Sequence, residues 1–398
     1  CSRHYTRLNM ESKNKIKLAI YSFSILMMGV IAIAGGMGVL GSKFGPEGYD
    51  VAQLIAIPSI PIIIVTIVAG KLQEYVPIKA LVIVGILCFI VGGIAPAFME
   101  SFTVILVFRV IFGVGVGLSQ TLSSALVGMH FDGAERQKVM GVQTSAQMIG
   151  AAIMMFASGY LAKINWQAIF WVHILAVISL IVVLLLLPTN KPMRSEGGNV
   201  EKVSLTGAAI RWAVTLTIFF VCGMILAQFL SIFMQEHGIG GPAESGNATM
   251  IFALGGFLMG LFYGKLNSIT KNFTLTIGCF VGAIAYLVVA YSTNVGMAYL
   301  GAFLYGLCVT IVMASIMTAT AMSVKPVAIP LAIAVTTCGQ NLGSYFCPLI
   351  SRWGASLIGN DITMNVFVFG AIVFCVIGVV YIFWAVAENS RQKKPQGA

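Results

Sequence analysis

The fold class this sequence predicts is an all-α polytopic membrane protein, with twelve transmembrane helices in two pseudo-symmetric six-helix bundles. Three observations predict it. Residues are 59% hydrophobic and only 9% charged, and mean hydropathy is +0.96. A soluble chain of 398 residues would need far more polar surface to cover its core. Apolar runs of roughly 20 residues, the length that crosses hydrocarbon, recur from end to end. Short blocks also repeat at one offset in the two halves.

The runs place spans near residues 17–41, 50–72, 77–98, 101–126, 138–162 and 166–188. They resume near 206–235, 246–266, 272–292, 295–322, 328–353 and 363–388. Between the two sets lies a polar segment holding Pro192, Arg194, Gly197 and Gly198. The expected organisation is a cytoplasmic tail at 1–16, a six-helix bundle at 17–189 and a cytoplasmic linker at 190–205. A second bundle at 206–388 and a tail at 389–398 complete it.

Basic residues fall in alternate gaps. Lys71 and Lys79, Arg136 and Lys138, Lys191 with Arg194 and Lys202, Lys265 and Lys271, and Lys325 share one side with both termini. The other gaps hold Lys43, Lys163 and Arg352 among Glu47, Asp50, Glu100, Glu236, Glu244 and Asp361. By the positive-inside rule both termini are cytoplasmic and the chain is a multi-pass protein of the cell membrane. The net charge of +10 is thus dispersed among loops, which argues against nucleic-acid binding. Cys1 heads a polar stretch ending near Met10. The basic residues after it favour a native start near Met10, or trimmed sequence, over a lipidated cysteine. The other seven of eight cysteines lie in apolar runs with no C-x-x-C, so neither disulfides nor a zinc site is expected.

The repeat is specific in register. Gly70-Lys71-Leu72 closes the second span and Gly264-Lys265-Leu266 the eighth, 194 residues apart. Gln147 with Gly150 in the fifth span is matched by Gln340 with Gly343 in the eleventh, 193 apart, and Gly113 by Gly306 at the same 193. Parallel six-span repeats facing a midplane site are one known transporter architecture.

Three motifs carry a narrower likeness. Between spans two and three, Gly70, Leu72, Glu74 and Lys79 fit G-x-L-x-D-x-x-G-x-K/R, with Glu74 for the acid and Pro77 in place of the second glycine. In span four Arg109, Gly113 and Gly115 fit R-x-x-x-G-x-G. In span five Gly141, Gly150 and Gly159 fit the glycines of G-x8-G-x3-G-P-x2-G-G, while Met154, Met155 and Ser158 replace the Gly-Pro and the penultimate glycine. With these motifs the chain resembles the major facilitator superfamily, and within it the twelve-span drug/proton antiporters. The resemblance implies a gate at Gly70, Glu74, Lys79 and Arg136, with Glu74 pairing with Lys79 or Arg136 in one state. It implies tight helix packing at Gly113, Gly115, Gly141, Gly150 and Gly159. Each motif also has a plainer reading: a charged turn, a buried structural arginine, generic small-residue packing.

Candidate substrate-binding residues are the polar groups at mid-span depth. Arg109 lies about 10 Å below the surface and must face the bundle interior or a wet cavity. Gln120 shares its face. Gln143 and Gln147 on span five, Gln340 and Asn341 on span eleven, Gln228 on span seven and Tyr305 on span ten complete the set. Interhelical hydrogen bonding alone would also account for the amides. His173 either carries a proton or bonds to backbone. The abundant methionines either line an adaptable pocket or fill the core.

No Asp or Glu occupies the middle of a predicted span. The proton carrier usual in the antiporter group is therefore missing, or displaced to Glu74, Asp50, Glu236 or His173. Two functions stay open: proton-linked efflux of lipophilic compounds, and exchange or facilitated movement of a small organic anion drawn by Arg109. A non-transporting receptor is disfavoured by the repeat, and an enzyme by the lack of any nucleophile–base or metal-ligand set. The expected partners are a small-molecule substrate, protons as coupled ion and the lipid bilayer. The chain is expected to be a monomer with no cofactor.

Overall fold

The computed structural model describes residues 2–48, 50–73, 75–131, 133–189, 206–325 and 328–392. Their regular elements are helices: α1 (Ser2–Ser24), α2 (Met37–Phe44), α3 (Gln53–Ala56), α4 (Ser59–Leu72), α5 (Ile78–Ile94), α6 (Phe102–His130), α7 (Gly133–Leu161) and α8 (Leu175–Leu186). Then follow α9 (Gly207–Gly223), α10 (Ile225–Glu236), α11 (Pro242–Thr270), α12 (Thr274–Ala290), α13 (Val295–Met322), α14 (Ile329–Ser356) and α15 (Ile362–Gln392). In hydrocarbon each backbone donor and acceptor must be met inside its own segment, which is why apolar runs of this length become helices.

Ten stretches are long and apolar enough to cross a membrane. One of them, Pro242–Ala290, has 49 residues. At 1.5 Å per residue it would reach about 73 Å, over twice the hydrocarbon thickness. It is in fact α11 and α12, separated by a 3-10 turn at Lys271–Phe273 where Lys271 has a φ of 46°. The stretches do not include α14, which is 28 residues long but carries Gln340, Asn341 and Arg352. With α12 and α14 counted as spans, the helices agree with the twelve expected.

Several spans differ from the uninterrupted helices the sequence predicts: the second is split between α3 and α4, the sixth opens with a 3-10 stretch at Gln167–Ile174, and two further breaks fall at related places in the two halves. The first passes from α1 into 3-10 turns at Ile25–Ile31 and Ala34–Gly36 before α2. Gly29, Gly35 and Gly36 weaken an α-helix here, and short 3-10 runs within a helix often mark hinges. The seventh span breaks between Gly223 and Ile225, with α9 and α10 meeting at Met224. Position 224 lies 193 residues beyond Ile31, so the two breaks fall at related points of the repeat.

The chain divides into two compact units, Cys1–Glu201 and Lys202–Ala398. In the first, α6 packs against α4 and α5, and α7 against the 3-10 part of span one. In the second, α13 packs against α11 and α12, and α14 against α9. Glycines set these approaches in register. A Cβ on Gly113 would lie 2.5 Å from the Pro58 carbonyl of the second span, and one on Gly306 would strike the Phe252 carbonyl of the eighth. A Cβ on Gly150 would lie 2.5 Å from the Ile25 carbonyl, and one on Gly343 would strike that of Thr217. The same inter-span contacts are thus built twice.

Candidate functional site

The polar residues of the first unit sort into those already engaged and those still free. The Gln143 amide donates to Ser123 Oγ at 2.7 Å, and Ser123 meets Ser24 Oγ at 3.0 Å. Gln143 also approaches the Met27 sulfur at 3.7 Å, and the Gln120 amide donates to the Met27 carbonyl at 3.2 Å. Gln120 and Gln143 therefore tie α6 and α7 to the 3-10 stretch of span one. Both were substrate-binding candidates, and in this structure their donors hold helices together.

Arg109 on α6 is fully buried. Its Nε, Nη1 and Nη2 have no hydrogen-bond partner among the described residues. Its guanidinium lies over the ring of Phe112 at 4.9 Å and that of Phe170 at 5.3 Å. Ring faces attract a cation most strongly where water is excluded. His173 completes the enclosure, 5.0 Å from Phe112 and 5.5 Å from Phe89. Its Nδ1 donates to the Phe170 carbonyl at 2.8 Å, and its Nε2 is within no hydrogen-bond geometry among the described residues. The plainer reading of His173, a backbone-bonded histidine, describes this geometry. Arg109 thus faces the bundle interior, held against aromatic rings rather than carbonyls.

The motif glycines of α7 differ from one another. Gly150 is pressed against Ile25, whereas a Cβ on Gly141 would meet open space. Gly141 is thus not a packing point here, because α7 is exposed at that level. Gly159 is buried, with its amide 3.0 Å from where a Cβ on Gly35 would stand, and Gly115 abuts Phe89 on α5.

At the proposed gate, Glu74 lies outside the described residues, and open space surrounds Gly70. Lys79 donates to the Leu184 carbonyl at 3.0 Å, where a lysine meets the unsatisfied carbonyls at the end of α8. Arg136 is exposed. The acid that pairs with bases is Glu135, which sequence reasoning passed over. Lys13 reaches it at 3.1 Å and Lys17 at 2.8 Å. The signal was present in the four-residue spacing of Lys13 and Lys17, which puts both on one face of α1. Hydrogen bonds from Lys17 and then Lys13 hold the Glu135 carboxyl below its ordinary range.

In the second unit Tyr305 is fully buried. Its hydroxyl donates to the Gly223 carbonyl, and that of Tyr286 to the Cys222 carbonyl at 2.7 Å. The two rings stack 4.6 Å apart. Tyr305, expected to bind substrate, instead supports the break in span seven, where the end of α9 leaves carbonyls without helical partners. Asn341 donates to the Thr337 carbonyl of its own helix at 3.0 Å. Gln228, one turn past the break, is fully buried, and neither amide atom has a hydrogen-bond partner among the described residues. Gln147 and Gln340, 193 residues apart, are half-buried. Neither has a side-chain hydrogen bond among the described residues. No group of three or more metal-ligating side chains occurs among the described residues.

Comparison with known proteins bears on these features. Residues 18–326 and 240–398 match the Major Facilitator Superfamily. The chain is 27% identical over 166 residues to a triacylglyceride transporter of Mycolicibacterium smegmatis, covering 41% of this chain and 27% of that protein. It is 29% identical over 138 residues to the multidrug efflux pump SdrM of Staphylococcus aureus, covering 34% of this chain and 29% of the pump. The chain thus spans less than a third of the length of these two relatives. A solved POT family transporter in complex with a thioalcohol-conjugated peptide has the same fold, with a TM-score of 0.76 at 12% identity, covering 93% of this chain and 96% of that one. The chain belongs to the Major Facilitator Superfamily and is a multi-span membrane protein.

Proposed function

We propose that this protein is a transporter that exports lipophilic, neutral or weakly basic small molecules in exchange for protons, by alternating access. One observation carries the reading: three mid-span side chains without hydrogen-bond partners among the described residues are neutral amides. Gln147 and Gln340 occupy repeat-related positions, and Gln228 adds a third, while the Arg109 cation is enclosed by aromatic rings. Amides can orient a substrate without favouring a charge, and the apolar surroundings suit a lipophilic body. The likeness to an efflux pump supports the same reading. Basic residues in alternate gaps support cytoplasmic termini in the cell membrane.

The test is efflux of a lipophilic dye from proteoliposomes with and without an imposed pH gradient. Gradient-dependent efflux is expected. Gln147→Ala and Gln340→Ala should each raise KM several-fold with kcat little changed, as loss of uniform binding does. Electrogenic movement of a carboxylate that ignores the pH gradient would overturn the reading.

The second reading, transport of a small organic anion, is favoured by the three unpartnered nitrogens of Arg109. A state that parts the rings would expose a fixed cation in low dielectric. Arg109→Ala separates the two. Anion affinity would collapse in the second case, whereas lipophilic substrates would retain binding and lose coupling or protein stability.

A further inference from the structure

The break at Met224 makes α10 a separate lever of 12 residues, Ile225–Glu236. Its far end is fastened to the start of α15 at two points. His237 Nε2 lies 2.8 Å from Asp361 Oδ2. Thr363 donates to Glu236 Oε2 at 2.7 Å. Asp361 is itself held by the Met364 amide at 3.0 Å, so the acceptor is positioned before α10 reaches it.

The hydrogen bonds of His237 fix its charge. Its Nδ1 lies 3.0 Å from the Phe233 carbonyl, and a carbonyl can only accept, so Nδ1 carries a proton. Its Nε2 faces a carboxylate, which also accepts, so Nε2 carries a proton as well. The observed arrangement is that of an imidazolium. A neutral ring would keep one proton and turn a lone pair toward either the carboxylate or the carbonyl.

We propose that His237 and Asp361 form a proton-operated latch that fastens α10 to α15 when the imidazole is doubly protonated and releases it when one proton leaves. The inference holds whatever the substrate, and it provides a proton-sensitive element in a protein whose predicted spans lack a central carboxylate. Charged groups also lie on the elements packed against α10. Glu236 adjoins His237 on the same strand of chain. Glu244 of α11 accepts from the Gly241 amide at 2.9 Å. Arg352 of α14 lies over the Phe229 ring at 5.1 Å.

The direction of the titration agrees with the geometry. Partial burial works against the imidazolium, but the hydrogen bond to Asp361, the Phe233 carbonyl and the nearby Glu236 outweigh it, and His237 is held above its ordinary value. Burial likewise works against the Asp361 carboxylate, but bonds from His237 and Met364 hold it below the usual range. The latch is therefore fully formed between the usual carboxylate range and the ordinary histidine value of about 6.5. It is lost as pH rises through the elevated folded value. Proton uptake at this end would add the His237–Asp361 fastening to the second half of span seven, and proton loss would leave that end held by the Thr363–Glu236 bond alone.

The test is substrate-free. Amide hydrogen exchange of residues 237–241 and 362–366 is followed in full-length protein in nanodiscs, at about pH 6 and about pH 8.5, bracketing the histidine range. Exchange times are scaled for the intrinsic pH effect. Wild type should exchange several-fold faster in these segments at the higher pH, with α12 unchanged. His237→Ala should exchange fast at both values, and His237→Lys, a permanent cation, should stay protected at both. Equal scaled exchange in wild type at the two values would overturn the latch, even if His237→Ala fails to fold. So would unchanged protection in a folded His237→Ala. Neither result bears on the dye-efflux assay.

Discussion

Gly141 and Gly150 share α7 yet meet opposite surroundings. A Cβ at 141 enters open space, whereas one at 150 enters the Ile25 backbone. Gly141→Ala should therefore raise stability by about 0.5–1 kcal/mol, the helix-propensity gain of alanine over glycine. Gly150→Ala should lower it by about 1–3 kcal/mol through overpacking. Thermal melts in one detergent would show opposite shifts. At Glu135 the expectation concerns pH. Its carboxyl is held below the ordinary range by Lys17 and Lys13, so its clasp on α1 is present above about pH 4.3. It is lost as pH falls through the lowered folded value. Glu135→Gln should destabilise the protein near neutrality and match wild type in acid, as read from paired melts across pH. A larger deficit in acid would contradict this assignment.

The long apolar runs made most spans legible, because hydrophobic length alone distinguishes a membrane helix. The breaks were not legible. Gly35-Gly36 and Cys222-Gly223 read equally well as packing points within a continuous helix, and only the partners decide. In span seven those partners are Tyr286 and Tyr305, from α12 and α13, distant in sequence from the carbonyls they meet. The same distance hid the engagement of Gln120 and Gln143, since their depth and spacing suit a cavity lining as well as a helix tie. Glu135 was overlooked because the motif drew attention to Glu74. Tyr286→Phe and Tyr305→Phe each leave a break carbonyl without its hydroxyl, a loss of about 1–3 kcal/mol. Each should lower the melting temperature. Because the rings touch, the double variant should depart from additivity. Additive losses would mean the two hydroxyls support the break independently.

Across the whole molecule, the repeated contacts keep a nearly constant spacing but not an identical one. The partners of Gly150 and Gly343 in spans one and seven, Ile25 and Thr217, stand 192 residues apart. Those of Gly113 and Gly306 in spans two and eight, Pro58 and Phe252, stand 194 apart. The glycines themselves hold to 193. The offset thus varies by a residue around 193 while the glycine contacts recur in both halves. An extra residue inside a helix rotates everything beyond it by about 100°, which would swing each glycine off its partner carbonyl and put a side chain in its place. One alanine inserted in the turn at Gly45–Glu47 should leave a folded protein, whereas one inserted between Gly113 and Gly115 should abolish it, as size-exclusion profiles would report. The two copies can then diverge in their other side chains as long as each glycine stays opposite the carbonyl it meets.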